Sequence, residues 1–421
     1  MPLNPTQYAP TLSFLTRMRF AVALILLCFA SMPALAQTFT TAYAFKAPLN
    51  SGTLSGGLVM NAGVLYGSTN TGGRYGNGEI FTLSPPTVAG ALWTRRILYS
   101  FNALDGRGPV SNLTLDSAGN IYGATYPATG AGNIFQLSPP TGTSTRWVET
   151  ILFSFPLDGS VGATPVGDVV FDKSGNLFGV TSQGGLYGKG VVYELSPPAT
   201  PGLPWIQTVH HDFQGSWDGA NPPTLSHDLS GPLFGICANG GTANAGTVWR
   251  LYPPTVDGGA WSFRVLHTFA GGADGTNPSG MMIFKGVKYG TTSSGGQYGF
   301  GTIFHIVYAG GVFTTSTIYS FTGHPDGIAP VGNLVADASY NLYGVTSSGG
   351  AADLGTVYEL SPPAIAGGAW TEKVLHSFSG LHDGEGPQGR LLLDPSGNLF
   401  GATTLGIKGA TDSSRVFEVT P

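Results

Sequence analysis

Six Asp-Gly pairs recur about once per 50 to 60 residues, at Asp105, Asp158, Asp218, Asp274, Asp326 and Asp383, apart from a further pair at Asp257. Carboxylates are hard oxygen donors, so a ring of them could hold calcium or a similar cation. Each could instead accept hydrogen bonds from the backbone of its own turn. No dense Asp-x-Asp-x-Asp loop of the calcium-binding kind occurs, which favours the local use. A second recurring set is aromatic. Tyr75, Tyr187 and Tyr298 close Gly-rich turns such as Gly184-Gly185-Leu186-Tyr187. Such a tyrosine offers a ring face and a hydroxyl to a sugar, or packs against its own loop.

The other reactive residue types form no constellation. His211, His267 and His376 lie two residues before a phenylalanine, at a place filled elsewhere by Tyr43, Tyr99, Phe153 and Tyr319, so they read as aromatic packing residues. A zinc site is not expected from them, because its ligands must converge on one point. Cys237 occupies the place that Thr125, Thr181 and Thr346 take in other copies and reads as a small strand residue. No Ser-His-Asp elbow, phosphate loop or zinc-binding helix motif is present. Glycoside chemistry needs two carboxyls roughly 5 to 10 Å apart, which spacing along a chain does not reveal. A site confined to one irregular copy, around Trp217-Asp218 or Phe304-His305, stands against ordinary variation between copies. No catalytic residue is assigned.

These residues are carried by an internal repeat. A hydrophobic-aromatic-Gly core recurs at Leu65-Tyr66-Gly67, Ile121-Tyr122-Gly123, Leu177-Phe178-Gly179, Leu233-Phe234-Gly235, Leu342-Tyr343-Gly344 and Leu399-Phe400-Gly401, with Lys288-Tyr289-Gly290 as a variant. A Gly-rich turn and a strand ending in double proline follow, as in Tyr193 to Pro198; proline removes a ladder donor and ends the strand. The next strand has an aromatic residue at each end, eight apart, as in Trp205 and Phe213. An even spacing puts both on one face of a strand. The Asp-Gly turn leads to a fourth strand and a polar hairpin such as Asp394-Pro395-Ser396-Gly397-Asn398.

Seven such repeats of four antiparallel strands predict an all-β fold, a seven-bladed β-propeller, with a solenoid or tandem sandwiches as rival architectures. The last repeat stops at Pro421 without its Trp-to-Phe strand, and Gln37 to Phe45 has the same eight-residue span, with Tyr43 two before Phe45 as Tyr99 is two before Phe101. The N-terminal strand therefore completes the last blade and leaves no edge there. In that geometry the Asp-Gly links and the Gly-rich turns share one face, where loops on a rigid scaffold concentrate binding residues.

Residues Gly175 to Thr181 with Gly184 to Pro197, and Asn341 to Thr346 with Gly349 to Pro362, resemble the GloVer-type tandem repeat proteins, an exported bacterial family. The resemblance covers Gln37 to Pro421. It implies export and a repeated fold, and no assigned activity. The chain ends without an apolar tail or sorting motif, unlike anchored members, so a freely released protein is expected.

Composition agrees. The 421 residues include 65 Gly and 30 Pro, and only 10% are charged, which suits short strands joined by tight turns. Residues 1–36 read as an N-terminal extension and cleaved signal peptide: Arg17 and Arg19 precede the apolar run Phe20 to Ala30, and Ala34-Leu35-Ala36 offers a cleavage site. Met18 is an alternative start. A retained anchor is the rival reading, but the run is short for a membrane span. Cys28 lacks the small residue that lipidation needs before it. Only Cys237 then remains of the 2 cysteines, so no internal disulfide is expected. Removing Arg17 and Arg19 leaves 16 basic against 23 acidic residues, a balance unsuited to nucleic acid.

The expectation is a secreted or periplasmic monomer, with residues 37–421 as one propeller and no cofactor unless calcium. Its function is expected to be non-catalytic binding of carbohydrate or another cell-surface polymer. A scaffold for an exported protein and a glycan-cleaving hydrolase or lyase are the alternatives.

Overall fold

The computed structural model describes residues 37–421 except 47–51, 89–90, 103, 127–130, 201, 228–230, 257, 366 and 406–411. The leader read over 1–36 lies outside the described residues. Seven antiparallel sheets form a ring, and one single-turn 3₁₀ segment at Gly272–Asp274 is the only helical piece among the described residues. Among those residues no helix is long and apolar enough to cross a membrane.

The third blade shows the plan. Its strands, from the channel outward, are Ala163–Phe171, Leu177–Gln183, Val191–Ser196 and Ile206–Asp212. The second strand is buried on both faces, and the outer strand alternates exposed with partly buried residues along its first half. This is why the Leu-aromatic-Gly cores are apolar throughout while the outer strands are not. The glycine of each core has a steric reason. Gly179 pairs with Tyr193 and Gly235 with Trp249, and the large ring lies where a Cβ would be. The same glycine-under-ring arrangement recurs at Gly67 and Phe81, Gly123 and Phe135, Gly290 and Phe304, Gly344 and Tyr358, and Gly401 and Phe417.

The core is divided among the seven interfaces between blades. One cluster joins Ile134 of the second blade to Leu177 and Tyr193 of the third; another joins Phe45, Phe400 and Val416 of the last blade to Leu58 and Phe81 of the first. The second of these exists only because the ring closes. Thr38–Lys46 pairs antiparallel with Asp412–Thr420, from Thr38 opposite Thr420 to Lys46 opposite Asp412, so the N-terminal strand is the outer strand of the last blade. The seven-bladed propeller and its closure are as the repeat predicted.

The fifth blade explains the variant repeat. Two short hairpins, Phe284 to Val287 and Ala309 to Val312, replace the polar hairpin and the double-proline loop. Phe313 stands where other blades have tryptophan, and the Arg250 guanidinium lies 5.5 Å from its ring.

Inner strands slip register as they pass the middle of the channel, between Ser55 and Val59, Val166 and Val170, Val331 and Val335, and Gln388 and Leu392. Gly332 sits at such a point with φ 72°, and its missing Cβ would press on the Gly389 carbonyl of the next blade. Neighbouring inner strands thus touch backbone to backbone. Gly57, Asp168, Asn333 and Arg390 lie within these slips; with Asn112, Thr224 and Gly280 they occupy equivalent places in the repeat and form a waist. Glycines leave room there for their neighbours: Asn112 Oδ1 accepts the Gly57 N–H, and Asn333 Oδ1 accepts the Met281 N–H at 2.9 Å.

Candidate functional site

Outer strands run into Asp-Gly links that cross one end of the ring to the next inner strand, and the turns between second and third strands lie on those links. The Gly185 N–H donates to Gly159 O at 2.8 Å, and the Gly296 N–H to Gly272 O at 2.7 Å. The two sets of loops share this link face, as the sequence indicated.

The aspartates are occupied within it. Asp218, fully buried, accepts the N–H groups of Gln214 and Gly215 and lies 3.0 Å from His211 Nε2. Asp105 accepts the Tyr99 hydroxyl at 2.5 Å and the Asn102 N–H at 2.8 Å; Asp326 accepts the Tyr319 hydroxyl at 2.6 Å and the Thr322 N–H. Asp383 pairs with His376 and Ser379, and Asp274 with His267 and the Ala270 N–H. The aromatic residue two places before the strand-ending phenylalanine is therefore the donor that selects the aspartate. Where it is Phe153, with nothing to donate, Asp158 stays at the surface and accepts only from its own turn, at Ser160 N–H. Backbone and hydroxyl donors hold Asp158 and Asp383 below the usual carboxylate range, although burial opposes this at Asp383. The structure does not bring the six carboxylates together, and among the described residues no three His, Cys, Asp or Glu side chains converge to hold a metal.

The histidines do pack as aromatics: His211 stacks on Phe263 with centroids 3.6 Å apart, and His376 on Phe39 at 3.8 Å. Their second role, bonding the link aspartate, was missed because the partners lie seven residues apart across a bend. Cys237 is fully buried, and burial pushes its thiol well up, which leaves it a neutral strand residue. Trp217 is half exposed on the link, and its Nε1 donates to Gln214 Oε1 at 3.4 Å. His305 is lowered by burial alone.

Two interfaces carry a further acid. Glu149 and Glu372 stand on the outer strands of the second and sixth blades and feel Asp105 and Asp326 of the preceding blades. Burial first, and the neighbouring carboxylate second, push both up to about 7. The same clusters push the Tyr99 and Tyr319 phenols far up, again mainly by burial.

The link face presents aromatic and apolar side chains to solvent beside scattered charges such as Asp158 and Lys189. Tyr75, Tyr187 and Tyr298 are 54%, 49% and 51% exposed, and Arg74 lies 5.6 Å over the Tyr75 ring. At the channel mouth a cavity of about 500 Å³ is lined by Thr53, Ser55, Asn70, Ser279, Gln388 and Thr404 among others, with no ionisable side chain except the Tyr126 phenol at its rim. Sequence reasoning missed this cavity, since its lining gathers the starts of inner strands and the ends of second strands from different blades, which meet only when the ring forms. It also missed exposed apolar residues on this face, Leu104, Leu157, Leu186 and Leu381. Leu104, Leu157 and Trp217 each directly precede a link Asp-Gly, a pattern that was available.

The fold and this face define a β-propeller built of tandem repeats. The family model of the Gloeobacter/Verrucomicrobia repeat matches residues 29–249 and 224–421, and the chain belongs to that family. Comparison with curated proteins finds no match. Among solved structures, the chain is similar to a candidate 6-phosphogluconolactonase from Bacteroides uniformis, at 16% identity and a TM-score of 0.53, over 83% of this chain and 90% of that one. It is also similar to the extracellular domain of a candidate one-component system from B. thetaiotaomicron, at 10% identity and a TM-score of 0.53, over 91% of this chain and 42% of that one. Likeness at these identities shows the shared fold alone.

Proposed function

We propose that the protein is an exported, non-catalytic binding module whose link face takes a neutral carbohydrate or another uncharged cell-surface polymer. The observation that carries this reading is the channel mouth, a cavity lined by hydroxyl and amide groups with Leu54, Val110 and Pro223 between them, the half-exposed Tyr126 at its rim and no charged side chain. Hydroxyls and amides exchange hydrogen bonds with sugar hydroxyls, and tyrosine rings stack on the apolar face of a pyranose. The link carboxylates favour the non-catalytic part: nearly all are committed to backbone, tyrosine or histidine, and among the described residues no acid and base line the mouth together. Export rests on the leader read over residues 1–36.

Thermal unfolding of the chain with a panel of soluble neutral glycans tests this, with each mixture assayed for cleavage products. Ligand at a hundredfold over its dissociation constant adds about 2.7 kcal/mol of stability. A shift with one glycan class that is lost in Tyr126→Ala supports the reading; products would replace it with a glycan-cleaving enzyme, and a flat panel would contradict it. A second reading, a docking face for an exported protein, is favoured by the solvent-exposed Leu104, 93% exposed, together with Leu157, Leu186 and Leu381.

A further inference from the structure

Beyond the waist the channel changes character. A cavity of about 770 Å³ lies on the side of the polar hairpins, walled by apolar residues such as Val170, Met282, Val335 and Leu392. At its inner end stand Asp168 and Arg390. Asp168 is only 8% exposed. Asn333 Nδ2 donates to Asp168 Oδ2 at 3.3 Å from the other side of the ring, and Asn333 Oδ1 is fixed by the Met281 N–H. The second carboxylate oxygen of Asp168 receives no hydrogen bond from the described residues, and Arg390 makes neither an ion pair nor a side-chain hydrogen bond with them.

The buried Asp168 and the half-buried Arg390 thus share one chamber, walled by aliphatic side chains together with Thr114, Ser226 and His227, without forming an ion pair. Charges withdrawn from water are costly until they are paired. A simple anion entering here would gain Arg390 and meet repulsion from Asp168, and a simple cation the reverse. Only a ligand bearing both charges satisfies both, and the aliphatic wall asks for an apolar body between or beside them. The volume falls within the range of small-molecule sites. We propose that this chamber binds an aliphatic α-amino acid, its carboxylate on Arg390 and its ammonium on Asp168.

The test is calorimetric titration of the whole chain with three probes: L-leucine, 4-methylpentanoate, which lacks the ammonium, and 3-methylbutylamine, which lacks the carboxylate. Leucine is expected to bind at least about tenfold more tightly than either analogue. Arg390→Gln should erase its advantage over the amine, and Asp168→Asn its advantage over the acid. Asp168 also braces the waist, so its variant could fail to fold; Arg390 holds nothing else, and its variant keeps the test independent. Leucine affinity unchanged in a folded Arg390→Gln, equal binding of all three probes, or no binding of leucine up to about 10 mM would each overturn the proposal. Glycan binding at the other mouth should be indifferent to Arg390→Gln, so failure of one site leaves the other standing.

Discussion

His211 Nε2 and Asp218 Oδ2 lie 3.0 Å apart across the bend that carries the chain from the third blade to the fourth. The same bond recurs between His376 and Asp383, and tyrosine takes the place of histidine at Asp105 and Asp326. Each link is thereby fastened to the strand it leaves, which gives the link face a rigid base for its exposed residues.

Removing a buried link aspartate should cost more than removing an exposed one. Asp218→Ala leaves the Gln214 and Gly215 N–H groups and His211 without an acceptor, at an expected cost of about 2 to 4 kcal/mol. Asp158→Ala loses one surface turn bond and should cost about 0.5 kcal/mol or less. Denaturant unfolding of the two variants checks this, and equal losses would contradict it.

Stability should fall as pH rises from about 5 to about 8. Glu149 and Glu372 are raised from 4.5 to about 7 in the folded chain, which therefore holds more protons than the unfolded chain across that window. The stability they contribute is complete below the unfolded value and lost as pH climbs through the folded one. Groups held low act in the opposite sense: Asp116, Asp383 and Glu194 lose their contribution only under stronger acid, while His305 and His376, held below 6.5 mainly by burial, offset part of the decline within this window. Melting temperature measured against pH should decline over this range, and Glu149→Gln with Glu372→Gln should flatten the decline.

Gly235→Ala should destabilise the fourth blade strongly, because the new methyl would occupy the space of the Trp249 ring. Overpacking of this kind costs about 1 to 3 kcal/mol or more. Gly63, with nothing within 4 Å of its missing Cβ, is the control; its alanine variant pays only for the positive φ of 78°. Thermal melts of the two variants separate steric from conformational cost.

Deleting the N-terminal strand should open the ring. Without Thr38–Lys46, the edge of Asp412–Thr420 is unpaired and Phe45 no longer fills the seam with the first blade. An unpaired edge recruits other chains. Light scattering should show association of a chain starting at residue 47, while Phe45→Ala lowers stability by about 3 to 5 kcal/mol with the ring still closed.

Features shared by all blades were legible in the sequence, and features of single blades were not. The Leu-aromatic-Gly core, the Asp-Gly links and the missing Trp-to-Phe strand repeat often enough to fix strand order and closure. The occupied link aspartates also followed from turn chemistry, but the donors His211 and Tyr99 did not, since pairing across a bend leaves no fixed local motif. Asp168, Asn333 and Arg390 were invisible because each interrupts the repeat once, on inner strands whose consensus is glycine and an aliphatic residue. Their convergence on one chamber depends on the ring, which sets the third blade opposite the sixth and seventh. Glu149 and Glu372 carry no motif, because what shifts them is burial beside the Asp105 and Asp326 links.

The most direct test of the binding face is hydrogen exchange of the chain with and without the glycan that raises its melting temperature most. Slowed exchange is expected in the turns 72–76, 184–188 and 295–299 and in the first turns of the inner strands around the channel mouth. Protection confined to the hairpin face or the outer edges, or none at saturating glycan, would contradict a binding site on the link face.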